Sequence, residues 1–487
     1  MAKRTAVIDI GSNSVRMVIF EKTSRFAFHL LHEVKSRVRI SEGAYDNNGN
    51  LQDAAIKRAV KALKNFLSIA QSYDVRKTLC VATSAVRDAP NKKFFLLHVK
   101  QETGLQIKVL DGEKESYYGG VSCANLFPNI NAITLDIGGG STESSEINNH
   151  IVSKSLSINL GTVRLKELFF DHDDVKGAKE YIDQVLKTCK LTQHEHVIGV
   201  GGTIRALSQA MMQRSDYPLD KLHGFTFTYD ELIKFGNKIL KADEEKLKQL
   251  GIKKDRFDVI KPGTLILMKI LKLVGCKTIT TSGVGVREGV YLHDLLRHNK
   301  DRFPEHFNPS VRYLLDNHTL DTRHANQLSS TAKILFDLLS ESFAIPSPYR
   351  YELSIAAKVS HTGESLHFYS YHQNSYYLIK NALEYGFSHQ QIMLIATLVR
   401  FQKRKRPTAS HIERYEMLLP DEEVLSRLSY LLSLANTLLI HRPKNIDFRL
   451  SFENGVLIVN ALDKPLYLAS EAHKSLSAPT DLSIHFL

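Results

Sequence analysis

The chain has no apolar run near the roughly 18 residues that a membrane-spanning helix needs. A helical membrane protein is therefore not expected. Its opening residues, Met-Ala-Lys-Arg-Thr, run straight into a strand-like stretch without a signal-peptide core. Export is accordingly not expected, and a cytoplasmic location is. Cysteine is scarce: Cys80, Cys123, Cys189 and Cys276 lie far apart, with neither metal-ligand spacing nor a disulfide pattern. They read as free thiols in mostly apolar surroundings. No turn carries the Lys of a Walker loop, and none completes a dinucleotide fingerprint. At 487 residues, 43% hydrophobic and 24% charged, the chain reads as an ordinary soluble protein of two to four domains. Its net charge of +12 suits a polyanionic partner such as polyphosphate, a nucleotide or nucleic acid, but a generally basic proteome gives the same balance. The densest basic run, Arg400–Arg406, reads equally well as a solvated helix end.

What the chain does contain is a repeat. Asp9-Ile10-Gly11-Ser12-Asn13-Ser14 returns as Asp136-Ile137-Gly138-Gly139-Gly140-Ser141-Thr142-Glu143, each copy after a short apolar run and before strand-like sequence. Glycine and Ser/Asn turns let successive N–H groups point into one concavity, which suits an anion. A leading carboxylate, Asp9 or Asp136, cannot hold phosphate directly, but it can hold a divalent cation or position a water. Either turn alone reads as an ordinary hairpin. Two in register point to a duplicated fold with facing phosphate-binding turns.

The surrounding pattern supports this. Thr5–Ile10 and Val15–Glu21 read as a hairpin, Asp53–Ser72 as a helix, and Lys77–Ala82 as a buried strand ending at Thr83-Ser84-Ala85-Val86-Arg87. A helix over 94–104 and a strand over 106–110 follow, and Asp111-Gly112 opens a helix to about Ala124. The pattern restarts at Asn131. Strand His196–Val200 meets Gly201-Gly202-Thr203, and strand Thr278–Thr281 meets Ser282-Gly283-Val284-Gly285-Val286-Arg287, each before a helix. Such units place helix N-termini at strand ends, where anions bind. Arg297–Pro309 reads as a linker. Beyond it, spacing predicts helices over 326–342, 351–359, 375–385 and 390–399, then a small β element over 448–460.

Glu115 begins that helix at the junction of the two halves and could serve as a base toward a water attacking phosphorus. Spacing alone favours the plainer reading, an acid in a first helical turn. Glu113 points to a different side. Arg87, Arg164, Arg205 and Arg287 each follow a Gly or Ser/Thr turn, and together they fit a polyanion groove better than a site for one phosphate.

With these residues on the page, the chain resembles the Ppx/GppA exopolyphosphatase/guanosine pentaphosphate phosphohydrolase family. The matching elements are DIGSNS at 9–14, ATSAVR at 82–87, GEKES at 112–116, DIGGGSTE at 136–143, GTVR at 161–164, GVGGT at 199–203 and SGVGVREG at 282–289. The resemblance implies an α/β fold with duplicated actin/sugar-kinase/Hsp70-like (ribonuclease H-like) domains, followed by a mostly α HD-like domain. The expected divisions are 1–125, completed by a helix near 286–298, then 126–298 and 310–487. It implies removal of the terminal phosphate of inorganic polyphosphate, or conversion of pppGpp to ppGpp, with Mg2+ or another divalent cation; nucleic acid and membrane are not expected partners. By the same resemblance Glu115 is the catalytic acid, and the metal-associated acids are Asp136 and Glu143, with Asp9 beside them. Phosphate contacts fall on Gly11, Ser12, Asn13, Ser14, Arg87, Gly138, Gly139, Gly140, Ser141, Thr142, Gly202, Thr203 and Arg287. The family usually reads Glu-Ala at the catalytic position; here it is Glu115-Ser116.

In the third region His324, His361 and His372 fall where HD hydrolases place metal ligands, but the His-Asp pair is His361-Thr362 and the late Asp is Asn436. Without those carboxylates a di-metal site loses its hard oxygen bridges. The domain is expected to be non-catalytic, its histidines structural, and its role polyphosphate binding or dimerisation. A groove completed by a partner's helical domain would suit a homodimer. Two other readings stay open at this point: an actin-like ATPase or sugar kinase using GVGGT for adenosine, and a non-enzymatic alarmone or polyphosphate sensor.

Overall fold

The structure, a computed structural model, describes residues 3–44, 47–128, 131–403, 406–476, 478 and 482–487. Arg404 and Lys405 of the basic run lie outside the described residues. The chain divides into two compact units, Met1–Phe307 and Asn308–Leu487.

The first unit contains two sheets. One is built from β1 (Lys3–Ile10), β2 (Val15–Lys22), β3 (Phe28–Ser36), β4 (Lys77–Ala82) and β5 (Ile107–Val109), in the order β3-β2-β1-β4-β5. The β1–β2 and β2–β3 pairings are antiparallel, and β1–β4 and β4–β5 are parallel. The second is built from β6 (Ala132–Ile137), β7 (Thr142–Asn148), β8 (Ile151–Ile158), β9 (His196–Val200), β10 (Thr226–Thr228) and β11 (Thr278–Thr281). Its order is β10-β11-β9-β6-β7-β8. Read as β8-β7-β6-β9-β11, it repeats the first sheet: two antiparallel pairings, then two parallel ones. Short antiparallel β10 is an addition at the edge. This is the duplicated actin-like arrangement. Central β1 carries Ala6, Val7, Ile8 and Ile10, all fully buried, the near-continuous apolar run of a strand covered on both faces. The helix Asp53–Ser72 covers this sheet with Ile56, Ala59, Leu63, Phe66 and Ala70, one stripe at helical spacing.

The two halves are tied by a crossing of the helices Gly112–Leu126 and Val286–Leu296. A Cβ at Gly289 would fall on the Tyr118 carbonyl, so only hydrogen fits there. The segment expected as a linker is instead fastened to the first unit. Asp301 is buried and accepts from Tyr117 Oη at 2.8 Å, and His293 Nδ1 lies 2.8 Å from the same carboxylate. Asn125 Nδ2 donates to the Asp301 carbonyl, and Phe303 N donates to Asn125 Oδ1. Most of 297–307 is exposed, but Asp301 and Phe303 anchor it to the helix Gly112–Leu126. The division falls after Phe307, where Asn308 caps the helix Pro309–His318 with Pro309 in its first turn.

The second unit packs helices Thr322–Leu339, Tyr349–Val359, Tyr371–Ala382, His389–Phe401 and Glu422–Leu438 around one apolar core. The helix Glu422–Leu438 has no clean periodicity, because leucines at 425, 428, 431, 432, 434 and 438 bury it on most sides. The small β element is a three-stranded sheet: β12 (Phe448–Glu453), β13 (Val456–Ala461) and β14 (Ser483–Phe486), the last parallel to β13. Among the described residues no helix is long and apolar enough to cross a membrane.

The helix crossing makes a prediction. Gly289→Ala forces a methyl onto backbone and should cost at least about 2 kcal/mol of stability. Gly119→Ala, in the facing helix and with nothing within 4 Å of the added carbon, should gain about 0.5–1 kcal/mol. Denaturant unfolding of the two variants gives both signs, and equal effects would contradict the packing.

Candidate active site

The site grows from the two turns. Gly11 N donates to Ser14 O at 3.1 Å, and Gly138 N donates to Ser141 O at 2.9 Å, so both hairpins close with the same bond. The remaining turn carbonyls are tied outward. Ser12 O accepts from Ser41 N and Asn13 O from Arg39 N; Gly138 O and Gly139 O accept from the start of the helix Thr162–Leu168. The turns meet closely, for a Cβ at Gly139 would sit 2.7 Å from Ser12 Cβ. Between them opens a cleft lined by Asp9, Ser12, Asn13, Asp136, Gly139 and Glu143, among others, with Glu115 on its wall.

Acids occupy one part of the cleft. Asp9 is partly buried, and its Oδ1, shielded from water, has no hydrogen-bond partner. Burial pushes its pKa up to about 6, with Arg287 and Arg16 pulling back and Asp136 adding repulsion. Burial likewise raises Asp136. Glu143 accepts from Ser141 Oγ at 2.5 Å and Ser157 Oγ at 2.8 Å, yet burial and the Asp136 charge raise it to about 7. Asp136 Oδ1 nestles against Gly201, which has φ +88°; a Cβ there would strike the carboxylate, so glycine is required twice over.

Glu115 is 7% exposed and receives Arg87 Nη1 on Oε2 at 2.6 Å. Burial and the Glu143 charge still lift its pKa well above the usual carboxylate range. Glu113 is exposed on another side of the helix.

Cations line the rest: Arg16, Lys35, Arg205, Arg256 and Arg287. Arg205 is anchored to Ser282 O and Val284 O at 2.7 and 3.0 Å, and Arg287 to Glu33 at 2.7 Å. Burial, then repulsion from Arg287 and Arg205, brings Arg16 down to about 10. Positive charges crowded out of water in this way favour a multiply charged anion.

A cleft between duplicated actin-like halves, with paired glycine turns, acids and a row of arginines, matches the comparisons with known proteins. The family model described as the Ppx/GppA phosphatase family matches residues 18–298, and that for domain III of the same phosphatases matches 308–459. The chain belongs to the Ppx/GppA phosphatase family. It is 27% identical over 475 residues to the guanosine-5'-triphosphate,3'-diphosphate pyrophosphatase of Photobacterium profundum, covering 93% of this chain and 90% of that protein. It is 32% identical over 296 residues to the bifunctional 3-dehydroquinate synthase/phosphatase of Fusobacterium nucleatum, which is 57% of this chain but only 44% of that protein. Among solved structures, the Aquifex aeolicus member of the Ppx/GppA family superposes with TM-score 0.53 at 30% identity, over 61% of this chain and 99% of that one. An exopolyphosphatase from Cytophaga hutchinsonii gives TM-score 0.54 at 27% identity, over 60% and 98%.

Most residues expected from the family motifs do meet at the cleft: Asp9, Gly11, Ser12, Asn13, Ser14, Glu115, Asp136, Gly138, Gly139, Ser141, Glu143, Gly202, Thr203 and Arg287. Three expected phosphate contacts do not line it. Thr142 is fully buried, its hydroxyl spent on Leu160 O at 2.5 Å. Gly140 presents its carbonyl to Arg164 Nε at 3.0 Å, so Arg164 props the second turn from outside the lining. Arg87 stands behind Glu115, paired with it and with the Leu110 carbonyl. The sequence reading missed Arg16, Lys35 and Arg256. Arg16 was within reach, because it faces Asp9 across the β1–β2 ladder at the position where Glu143 faces Asp136. Lys35 and Arg256 follow no turn motif and reach the cleft only through folding.

The raised pKa of Asp9 makes a stability prediction. An acid whose folded pKa is raised destabilises the fold once ionised; the cost is absent below the unfolded pKa of 3.8 and complete above about 6. Asp9→Asn should therefore stabilise the metal-free protein at pH 8 by up to about 3 kcal/mol, the gain shrinking as pH falls toward 4. Thermal unfolding across pH 4–8 tests this; a gain independent of pH would rule out the buried charge as its source.

Proposed function

We propose that the chain hydrolyses a terminal phosphoanhydride, releasing phosphate from inorganic polyphosphate, from pppGpp to give ppGpp, or from both. The observation that carries this is one buried cleft in which Asp9, Glu115, Asp136 and Glu143 face Arg16, Arg205, Arg256 and Arg287 between two glycine turns. The activities named for the Photobacterium and Cytophaga relatives support the same substrate class.

In this reading the terminal phosphates rest against the turns, with Ser12 and Asn13 as hydroxyl and amide donors. The arginines neutralise oxygens along the chain. Glu115 accepts a proton from the attacking water. The bond from the terminal phosphorus to its bridging oxygen breaks, and orthophosphate leaves the shortened chain. A carboxylate with a raised pKa is suited to this step, because it is a stronger base toward the water's proton than an ordinary carboxylate. Arg87 acts as a positioning residue that holds Glu115 in place.

The acids also fit a divalent cation. Asp9 Oδ1 is buried without a partner, and Asp9, Asp136 and Glu143 share the cleft. Among the described residues no three metal-ligating side chains form a ready cage. That combination suits Mg2+, which takes one or two carboxylates and keeps water and substrate oxygens for the rest. Bound there, Mg2+ would offset charge on the phosphoryl group. A side cavity of about 180 Å3, shared through Arg16, Gly202, Arg205 and Arg256, continues past Gln209 and Leu222 to Lys253. It can receive further phosphates or a nucleoside.

Glu115→Gln should lower phosphate release by at least about 10^3-fold while substrate binding persists. Release from polyphosphate, pppGpp and ATP, measured side by side with Mg2+, checks the class. Turnover of ATP alone would favour an ATPase, and binding of all three without turnover would favour a sensor. Full activity in Glu115→Gln would remove Glu115 from the mechanism.

A further inference from the structure

The second unit holds a cavity that the reaction above does not use. It measures about 530 Å3, within the range of small-ligand sites. One wall is a continuous polar network. His361 Nδ1 lies 2.8 Å from Glu364 Oε1, and its Nε2 lies 2.7 Å from Asn436 Oδ1. Asn436 Nδ2 donates to Leu432 O at 2.9 Å and to Gln402 Oε1 at 3.2 Å, which turns the amide oxygen toward the imidazole. Arg442 Nη2 also lies 3.3 Å from His361 Nδ1, so both ring nitrogens are already engaged. Among the described residues no group of three His, Cys, Asp or Glu could hold a metal.

The balance of charge in the cavity is positive. Arg442 pairs with Glu364. Lys403 Nζ sits 4.3 Å over the Tyr371 ring and donates to Tyr369 O at 3.0 Å. Burial opposes the Glu364 charge, but hydrogen bonds and charge from His361 and Arg442 hold its pKa at about 2, so it stays ionised. Lys403 and Arg442 thus meet one carboxylate, Glu364.

One buried polar group on the wall is unsatisfied, and one ring, Phe368, is largely exposed although it meets Tyr369 edge-on at 5.5 Å. His324 is 4% exposed, stands edge-on to His361 at 5.2 Å, and its Nδ1 has no hydrogen-bond partner. Burial, then the charges of His361 and Arg442, bring its pKa down to about 4, so the ring is neutral and can both donate and accept. Phe368 lines the cavity and is 64% exposed. Tyr371, by contrast, is already stacked on His361 at 4.6 Å.

We propose that this cavity binds a nucleoside monophosphate, with the phosphate between Lys403 and Arg442, the base against Phe368, and a polar edge at His324. Inorganic phosphate would leave most of the volume and the aromatic face unused. An uncharged nucleoside would leave the excess positive charge unanswered. With Asn436 and Thr362 where carboxylates would be needed for metal chemistry, the site binds and does not cleave.

The test is calorimetric titration of the full chain at neutral pH with GMP and AMP, and separately with inorganic phosphate, guanosine and adenosine. One of the monophosphates should bind at one per chain, at least tenfold more tightly than phosphate or either nucleoside. Phe368→Ala, at an exposed ring that the fold does not need, and Arg442→Gln should each weaken it tenfold or more. Arg256→Gln, in the cleft of the first unit, should leave it within twofold. The proposal fails if neither monophosphate outbinds phosphate. It also fails if Phe368→Ala binds as the parent does, or if Arg256→Gln abolishes binding and so moves it to the cleft.

Discussion

The cleft of the first unit keeps carboxylates and guanidinium groups out of water in one place, and much of that unit is organised around this cost. Removing a single ion from water costs several kcal/mol even after relaxation, and neighbours of the same sign add to it. Asp9, Asp136, Glu143 and Glu115 respond with raised pKa values, and Arg16 and Arg205 with lowered ones. The scaffold holds these groups in place through rigid backbone: turn carbonyls tied outward, glycines where backbone and carboxylate touch, and a helix crossing that admits no side chain at Gly289. A substrate with several negative charges, arriving with a cation, would offset both sets of like charges at once.

Duplication explains how the two signs are placed. The hairpins share strand order, pairing sense and closing hydrogen bond. At one ladder position they differ: Arg16 faces Asp9 in the first, and Glu143 faces Asp136 in the second. One exchange of charge in a repeated frame thus sets a cation beside the leading acid of the first turn and a second acid beside that of the second. Glu115 enters between them from the helix that crosses Val286–Leu296, with Arg87 holding its carboxylate.

In the second unit a polar centre is held together by side-chain hydrogen bonds. His361 is engaged by Glu364 and Asn436 on both nitrogens, which fills the coordination that a metal would need. Arg400, from the basic run, lies over Tyr376 and Phe401 and bonds His411, so that part of the run is structural and not a solvated tail. The cavity persists because its walls are hydrogen-bonded polar groups that cannot collapse without losing partners.

Much of the fold was legible because it is local. The repeated Asp-Ile-Gly turns, the strands Lys77–Ala82, His196–Val200 and Thr278–Thr281, and the helix Asp53–Ser72 follow from residue period and turn chemistry, which act over a few residues. The make-up of the cleft was legible in part too, since Asp9, Ser12, Glu115, Asp136, Glu143 and Arg287, all within the motifs, line it. What sequence could not supply was direction. Thr142 and Gly140 sit inside the motif yet turn away from the cleft, while Lys35 and Arg256, in no motif, turn into it. Within the mostly exposed stretch 297–307, only the fold shows Asp301 buried against Tyr117 and His293. A side chain's orientation and partners are set by strands and helices hundreds of residues away, so only the tertiary structure decided which of the available groups share the cleft.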